Sequence, residues 1–457
     1  MTARRNSSAG IARGRASLAR LTTRRWGSLR AFWADESGVL TVLGLFIFLI
    51  TLMISGYAVD YWNAVRARTH LQVNSDATAH AALVSREFGT ADTAIADAMN
   101  VAYANMPKAQ YGDIVDASDI TFGDWNATTR TFTADPNSRT AVEVRMHRTS
   151  ARGNPVGTFL YKLVGINSWN ISTKSIFDTY YRSCTSEGFV AENTIDLQSN
   201  NVYKKGFCIH SNNAISINSN NSFETGVQVT MPDPATIQLP SSGFSSNPGL
   251  QDALRSDSWD IRILSQIDTI MAGLSAGNSD VVPSYITNLA PIAYNQGKIG
   301  NGDLVSGNIY TASCNGNSPL NISSGTVLSK VVLVTNCNIN FGSSVQLHDV
   351  VIASTNTSNK AVTGASGLEV GLNDNCAPGG GAQIITDGGM DFPSAMSLFG
   401  GQLIAKQDVT FSASGNGVQG ASVISGATLS GTSNMTMAYC GSGMEENFQA
   451  EYFRMVQ

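Results

Sequence analysis

Few side chains in this sequence are spaced in a way that could carry out chemistry, and the best candidates are acidic. Asp387 and Asp391 lie four residues apart, and Asp374 precedes them closely. Two carboxylates can perform glycoside hydrolysis, so these three residues form a candidate acidic site of the kind that β-helical polysaccharide-cutting enzymes use. Asp387 is followed by Gly388, however, and Asp-Gly is first of all a turn signal. We therefore expect the carboxylates to shape a turn and the chain not to be an enzyme.

Other patterns that could hold a nucleophile, a phosphate or a metal ion are incomplete. His210 and His348 stand without a neighbouring nucleophile motif, and no Gly-x-Ser-x-Gly sequence is present. Gly379–Gly381 lacks the following lysine of a phosphate-binding loop. Neither Asn373–Asn375 nor Asn301–Asp303 reaches a calcium-binding pattern. We expect no cofactor and no bound metal ion.

The cysteines indicate disulfides. All of them lie beyond residue 180, at Cys184, Cys208, Cys314, Cys337, Cys376 and Cys440. No CxxC or Cys–His spacing suggests zinc, whereas an even number of cysteines confined to one region is typical of bridges formed in an oxidising compartment. The sequence leaves about fifteen possible pairings of six cysteines.

The elements that position these residues begin with a helix that can span a membrane. The segment Ser37–Val59 has no charged side chain, and at ~1.5 Å per residue its length matches a hydrocarbon layer of ~30 Å. The leader before it, residues 1–36, is basic through Arg4, Arg5, Arg13, Arg15, Arg20, Arg24, Arg25 and Arg30. Because positive charge stays on the cytoplasmic side, we expect the leader inside and the chain after Asp60 across the membrane.

Three other interpretations of the N-terminus stay open. A cleavable signal peptide normally has an apolar core of ~7–15 residues, shorter than this one. The acid-poor leader also resembles a mitochondrial transit peptide, and Arg24–Arg25 resembles part of a twin-arginine export signal. The net charge of −5 includes this basic leader, so the rest of the chain is acidic and no nucleic-acid partner is expected. The expected partner of the leader and the apolar helix is the lipid bilayer.

Beyond the membrane the pattern predicts a helix and then a small α+β domain, together covering residues 60–180. The helical pattern continues to about residue 106, and small side chains along Asp76–Leu83 allow close packing. Apolar and polar residues then alternate, as in Ala141–Met146, which indicates strands. Residues Val156–Val164 could form a short helix.

The region 181–457 is predicted to be all-β. It is rich in Asn, Ser and Gly, and strands recur at about twenty residues, a spacing typical of repeat proteins. Strands are expected to begin near Asn321, Asn338, Leu368, Met390, Val409 and Thr428, each unit having a second strand. A β-sandwich is the structural rival, but the recurring strand–corner–strand unit favours a right-handed β-solenoid. A helical insertion over about 231–298, with one amphipathic helix region from Leu250 to Leu274, interrupts it.

The N-terminal third resembles a known family. The segments that carry the resemblance are Phe32–Gly38, Ala58–Trp62, Arg66–Arg68, Leu71–Gln72 and Ser75–Ala77. Over about residues 30–180 the chain resembles the N-terminal module of TadG-like proteins of the Tad (Flp) pilus assembly system. The resemblance implies a bacterial inner-membrane protein with its bulk in the periplasm or at the surface. It also implies a role in pilus assembly, anchoring or surface interaction, with other pilus-assembly or envelope proteins as partners.

Two departures from related patterns limit that implication. Prepilin-type processing would need Glu at the fifth residue after Gly38, where this chain has Leu43. Asp116–Ile120 fails at the last position of the metal motif of a von Willebrand A domain, which many larger relatives carry. The region beyond Cys184 is thus expected to be a different domain from the von Willebrand A domain of those relatives. Glycans are a further candidate partner of this region. The alternative function is a membrane-tethered β-helical enzyme that acts on envelope polysaccharide.

Overall fold

The computed structural model describes residues 38–457 except 316, 317 and 432. The predicted basic leader lies outside the described residues. The chain forms two compact units, of which the first runs to Asp178 and also includes Met455–Gln457. The second unit comprises Thr179–Arg454.

The helices and strands have the following bounds. The α-helices are α1 (Val39–Arg86), α2 (Ala91–Asn105), α3 (Lys108–Tyr111), α4 (Ser183–Ser186), α5 (Leu250–Ala253) and α6 (Arg262–Ala276). Short 3-10 helices are Ala117–Asp119, Ser150–Arg152, Tyr161–Val164, Pro234–Thr236 and Gly243–Ser246. The early strands are β1 (Ile120–Asn126), β2 (Thr131–Ala134), β3 (Ala141–Arg148), β4 (Val156–Gly157), β5 (Ser168–Trp169) and β6 (Ile171–Tyr180).

The remaining strands follow in chain order. The next group is β7 (Gly188–Ala191), β8 (Thr194–Leu197), β9 (Val202–Tyr203), β10 (Cys208–Ser211), β11 (Ala214–Ile217), β12 (Ser222–Phe223), β13 (Gln228–Met231) and β14 (Leu254–Ser256). After α6 come β15 (Asn288–Tyr294), β16 (Lys298–Ile299), β17 (Asn308–Ala312), β18 (Leu320–Ile322), β19 (Val327–Thr335), β20 (Ile339–Phe341), β21 (Gln346–Ser354), β22 (Val362–Gly364) and β23 (Leu368–Val370). The last are β24 (Ala382–Thr386), β25 (Met390–Phe399), β26 (Gly401–Ala405), β27 (Val409–Gln419), β28 (Ser422–Ser425), β29 (Leu429–Ser430), β30 (Thr436–Ala438) and β31 (Tyr452–Met455).

Helix α1 has two parts with different surroundings. Among the described residues, one helix, Leu40–Arg86, is long and apolar enough to cross a membrane. The large apolar side chains of its first half, from Leu40 to Val59, are mostly exposed, as a lipid-facing surface would be. The second half instead buries residues such as Leu71 and Ser75 against β3.

The first unit packs two helices against an antiparallel sheet with strand order β2-β1-β3-β6-β31. The helical pattern predicted to about residue 106 is divided into two helices, because α1 ends at Arg86 and the Thr90 hydroxyl accepts the Thr93 N–H to begin α2. The small residues predicted to allow close approach, such as Ala79 and Ala82, are buried where α1 packs against α2 of the same chain. Of the short helix predicted over Val156–Val164, only Tyr161–Val164 is helical, as a 3-10 helix, because Val156 pairs with Trp169 as strand β4.

The second unit contains a large sheet whose strands pair in parallel. The strands β7, β8 and β9 pair with β10, β11 and β12 in turn, at an offset of about twenty residues. Consecutive strands thus fall into groups, such as β7–β9 and β10–β12. The first strands of these groups pair side by side in one continuous series, β15-β17-β19-β21-β24-β26-β28-β7-β10-β13-β14. The prediction of an apolar helix followed by a β-rich region is confirmed.

The spatial order of this series differs from the chain order. Strand β7, the first of the unit, lies in the interior of the series between β28 and β10. The chain proceeds outward from β7 to β14 and then crosses to the other end, where β15 begins the return toward β28. The helical insertion predicted over about 231–298 is wider than this crossing, because it also contains strands β14 and β15. It does not hold one helix from residue 250, because Leu254 pairs with Val229 as strand β14.

Two apolar clusters hold the second unit together. The larger lies inside the stacked strands and includes Phe189, Phe207 and Tyr203, whose ring stacks on Phe223 at 4.8 Å. The smaller lies on the outer side of the first-strand series, where α6 covers it. Helix α6 contributes to that cluster through Ile263, Ile267, Ile270, Met271 and Leu274.

Candidate functional site

The carboxylates singled out in the sequence each have a separate partner. Asp387 accepts a contact from Lys406 Nζ at 2.8 Å, and the same ammonium group lies 2.5 Å from Asp268 on α6. Burial raises the pKa of Asp387, and the contact with Lys406 opposes that rise. Asp391 pairs with Lys360 at 2.5 Å. The two acids therefore contact different lysines.

Asp374 has a turn role. Its carboxylate accepts the backbone N–H of Ala377 at 3.0 Å, beside the bridged Cys376. Both Asn375 and Cys376 have positive φ, 63° and 65°, so this loop bends sharply. No group of three or more His, Cys, Asp or Glu side chains placed to hold a metal ion occurs among the residues that the structure describes.

All six cysteines are paired. The bridges are Cys184–Cys208, Cys314–Cys337 and Cys376–Cys440. The first two join segments only 24 and 23 residues apart, so each links neighbouring parts of the parallel series. The third closes a 64-residue loop that ties the segment after β23 to the segment after β30.

A row of polar side chains lies on the second strands of the groups, one from each strand. We call this row the polar ladder. Register pairs connect its members in space in the order Lys298, Asn321, Asn340, Thr363, Asp391, Thr410, Ser430, Asp196 and Ser216. None of these residues is buried. With strands ~4.8 Å apart, nine successive positions form a surface about 40 Å long.

Some members of the polar ladder form hydrogen bonds with one another across neighbouring strands. The Asn340 amide donates to Asn321 Oδ1 at 3.3 Å, and the Thr363 hydroxyl donates to Asn340 Oδ1 at 2.7 Å. These contacts limit the side-chain freedom of the row.

A second row of asparagines is buried and serves the fold. The backbone N–H of Asn201 donates to Asn221 Oδ1, and the backbone N–H of Asn221 donates to Asn247 Oδ1. The side chain of Asn201 in turn accepts from the N–H of Met435. Because these amides are consumed internally, asparagine content alone does not identify an exposed face. The strand register distinguishes the polar ladder from the buried asparagines, a distinction that the composition of the sequence does not contain.

His210 is a buried titratable residue whose surroundings the sequence did not reveal. It follows Val190 and Ile424 in register along the first-strand series. The ring stacks on Trp259 with centroids 4.4 Å apart. Burial lowers its pKa to about 4, although a hydrogen bond to Asn212 opposes the shift. The imidazole is therefore neutral at pH 7.

The neighbours of His210 also select its tautomer. Asn212 Nδ2 donates to Glu192 and to the carbonyl of Trp259, so Asn212 Oδ1 faces the ring as an acceptor. Nε2 lies 3.0 Å from this oxygen and must carry the proton, which leaves Nδ1 to accept from the Thr230 hydroxyl at 2.8 Å. A protonated Nδ1 would lose this acceptor role.

Asp60 fixes a loop beside the end of the apolar segment. Its side chain is fully buried and accepts the successive backbone N–H groups of Phe159, Leu160 and Tyr161, at 2.6, 3.0 and 2.7 Å. Burial raises the pKa of Asp60, but these three donors outweigh that effect, and the pKa lies below its usual value. Sequence reasoning missed this contact because its partners are about a hundred residues away.

Comparisons with known protein families give one match within each unit. A family model described as Tad-like Flp pilus-assembly matches residues 72–176. A second model, Domain of unknown function (DUF7867), matches residues 188–441, which is more than half of the chain. No curated protein and no solved structure gives a significant match. The chain therefore belongs to the DUF7867 family and carries a Tad-like Flp pilus-assembly domain ahead of the DUF7867 region.

Proposed function

We propose that the protein is a bacterial inner-membrane component of a Tad/Flp-type pilus-assembly system and is TadG-like in its N-terminal module. Its N-terminus lies in the cytoplasm, and both units lie on the periplasmic or surface side. The observation that carries this proposal is the Tad-like match to residues 72–176, which begins within α1. One helix thus joins the apolar segment directly to the pilus-assembly domain. The three disulfides support an oxidising compartment.

We further propose that the second unit is a right-handed β-solenoid. The strands β7–β9 are repeated by β10–β12 with each strand in register, which is the relation between successive coils of such a fold. The interior apolar cluster would then be continuous from coil to coil. In this proposal the solenoid is a rigid display platform for the polar ladder.

The role we propose for the platform is interaction rather than catalysis. Asp387 and Asp391 are each occupied by a lysine, and the polar ladder consists mainly of hydroxyl and amide groups. Such groups suit contacts with a neighbouring pilus or envelope protein, or with glycans. The rival function is hydrolysis of envelope polysaccharide by the acidic pair.

A deletion and complementation experiment tests the function and its rival together. Deleting the gene in the bacterium that encodes it should abolish surface pili counted by electron microscopy, and the parent gene should restore them. The double variant Asp387→Asn with Asp391→Asn keeps side-chain size and removes both charges, so it should restore pili nearly as well. Normal piliation in the deletion strain contradicts the pilus role. A folded double variant that restores none favours the enzyme.

A second variant tests the polar ladder. Replacing Asn321 and Thr410 by Arg places two long cations on exposed positions of the row. The chain should still fold, because neither side chain is buried, but piliation should fall several-fold as the partner is blocked. The matched control is Gln251→Arg with Thr269→Arg, which adds the same two cations at exposed positions of α5 and α6 outside the ladder. Equal piliation in both double variants would exclude the ladder as the contact surface.

A further inference from the structure

A short loop of the first unit exposes an unusual number of apolar side chains. Phe159, Leu163, Val164 and Ile166 are exposed to 66, 75, 49 and 43%, all within eight residues. Leu160, between them, is exposed to 36%. Clustered apolar groups of this kind mark a contact with a membrane or another molecule, whereas isolated ones do not.

The loop lies against the apolar segment of α1. Leu160, Leu163 and Val164 share a groove of about 190 Å³ with Leu49, Met53 and their neighbours Leu52 and Gly56. The helix residues in this groove precede Tyr57 by one to eight positions, which corresponds to about 2–12 Å along the helix axis. The loop therefore runs back beside the part of α1 that matches a hydrocarbon layer.

Two contacts fix the loop in this place. Asp60 accepts its three successive backbone N–H groups, as described above. Gly56, one turn earlier on the same face, leaves room for Leu160, since a Cβ at Gly56 would lie 3.0 Å from Leu160 Cβ. The loop is thus a built part of the unit.

Aromatic and charged groups mark the level at which water begins. Tyr57 stacks on Tyr61 at 5.6 Å and meets Tyr161 edge-on at 5.9 Å. Trp62 is 70% exposed next to them. Tyrosine and tryptophan are enriched at the membrane–water interface, where their rings are apolar and their polar groups stay wet. The positive charge of Lys162, on the same loop, adds to the three backbone donors that lower the pKa of Asp60.

We propose that Phe159–Ile166 is a second membrane-inserted element, whose apolar side chains enter the hydrocarbon of the leaflet at the Asp60 end of α1. The occupant of the exposed surface is lipid, because the same level of α1 exposes Ile50, Met53 and Ile54. This inference rests on the proposed function only in that α1 must span the bilayer. It gives the first unit two points of attachment, so the domain is held at a fixed tilt to the membrane.

Site-specific fluorescence in vesicles tests the proposal on the full chain. A single cysteine replaces Leu163 and is labelled with nitrobenzoxadiazole, the native cysteines being bridged. In phosphatidylcholine–phosphatidylglycerol vesicles the emission should be blue-shifted. Lipids with a nitroxide on the acyl chain should quench it several-fold more than lipids with the nitroxide on the headgroup.

Two control sites separate the possible outcomes. Phe88→Cys, beyond the far end of α1 and about 40 Å from Asp60, should show water-like emission without quenching. Ile54→Cys, on the exposed side of the apolar segment, should be quenched if α1 spans the bilayer. Quenching at residue 54 without quenching at residue 163 overturns the loop proposal alone. A blue-shifted but unquenched label at residue 163 also overturns it and indicates a protein partner, whereas no quenching at either site contradicts the membrane helix itself.

Discussion

His210 occupies a register position that neighbouring strands fill with valine or isoleucine. Between its folded pKa of about 4 and the ordinary value near 6.5, the unfolded chain binds the proton and the folded chain does not. The contribution of His210 to the free energy of unfolding is therefore fully present above pH ~6.5 and is lost as the pH drops toward 4. The free energy of unfolding falls by at most about 1.4 kcal/mol per pH unit, or about 3 kcal/mol between pH 6.5 and 4.

This pH dependence can be assigned with one variant. His210→Phe keeps the stacking on Trp259, while Thr230 retains the Ile209 carbonyl and Asn212 retains the Trp259 N–H as partners. Chemical denaturation of the full chain in detergent should show a shallower loss of stability between pH 6.5 and 4.5 than the parent shows. His70→Gln, at an exposed position, should leave the parent slope unchanged. Identical slopes for the parent and His210→Phe would refute the assignment.

At the residue scale, the sequence indicates which side chains are candidates for a role but does not indicate which residues surround them in the fold. The sequence predicts a turn at Asp387–Gly388, whereas the lysine partner of Asp387 and the link through Lys406 to Asp268 depend on α6 packing across the strands. An isolated histidine carries no sign of burial, because the Trp259 that covers His210 is far away in the chain. In the sequence, Asp60 marks only the end of an apolar segment.

The strands illustrate what a local pattern can predict at the scale of elements. Strands β20 and β23 begin within a residue of the expected positions, Asn338 and Leu368, because alternation and Gly or Asn corners are properties of neighbouring residues. The pairing order is not local. Short apolar strands such as β7 and β28 resemble each other, so composition cannot decide which ones meet. The helical region expected from Leu250 to Leu274 is divided into α5 and α6 for the same reason, since β14 between them depends on pairing with β13.

The disulfides give a prediction for these elements. Thiol counting on the denatured, unreduced protein should find no free cysteine, and peptide mapping should recover Cys184–Cys208, Cys314–Cys337 and Cys376–Cys440. Loops of 23–64 residues correspond to about 3–4 kcal/mol of stabilisation per bridge in the chain-entropy description. Replacing both Cys314 and Cys337 by Ser should therefore lower the free energy of unfolding by about 3 kcal/mol. Six reactive thiols, or any other pairing, would contradict the structure.

The whole molecule should have one orientation in the membrane. Eight arginines precede the apolar segment, so protease added to spheroplasts should degrade the C-terminal units and spare a tag at the N-terminus. Lysed spheroplasts provide the control, in which both ends should be cleaved. If the C-terminal units survive in intact spheroplasts, the proposed orientation is reversed.

The interior position of β7 has a consequence for synthesis. Met435 and Asn201, which meet where β30 pairs with β9, are 234 residues apart in sequence. In a chain synthesised from its N-terminus, β7 is present long before β28 exists to cover it. Contacts of such high contact order slow folding and leave apolar strand edges open in the meantime. The centre of the stack is thus completed last, and a chain interrupted anywhere before Ser422 is left with an uncovered edge.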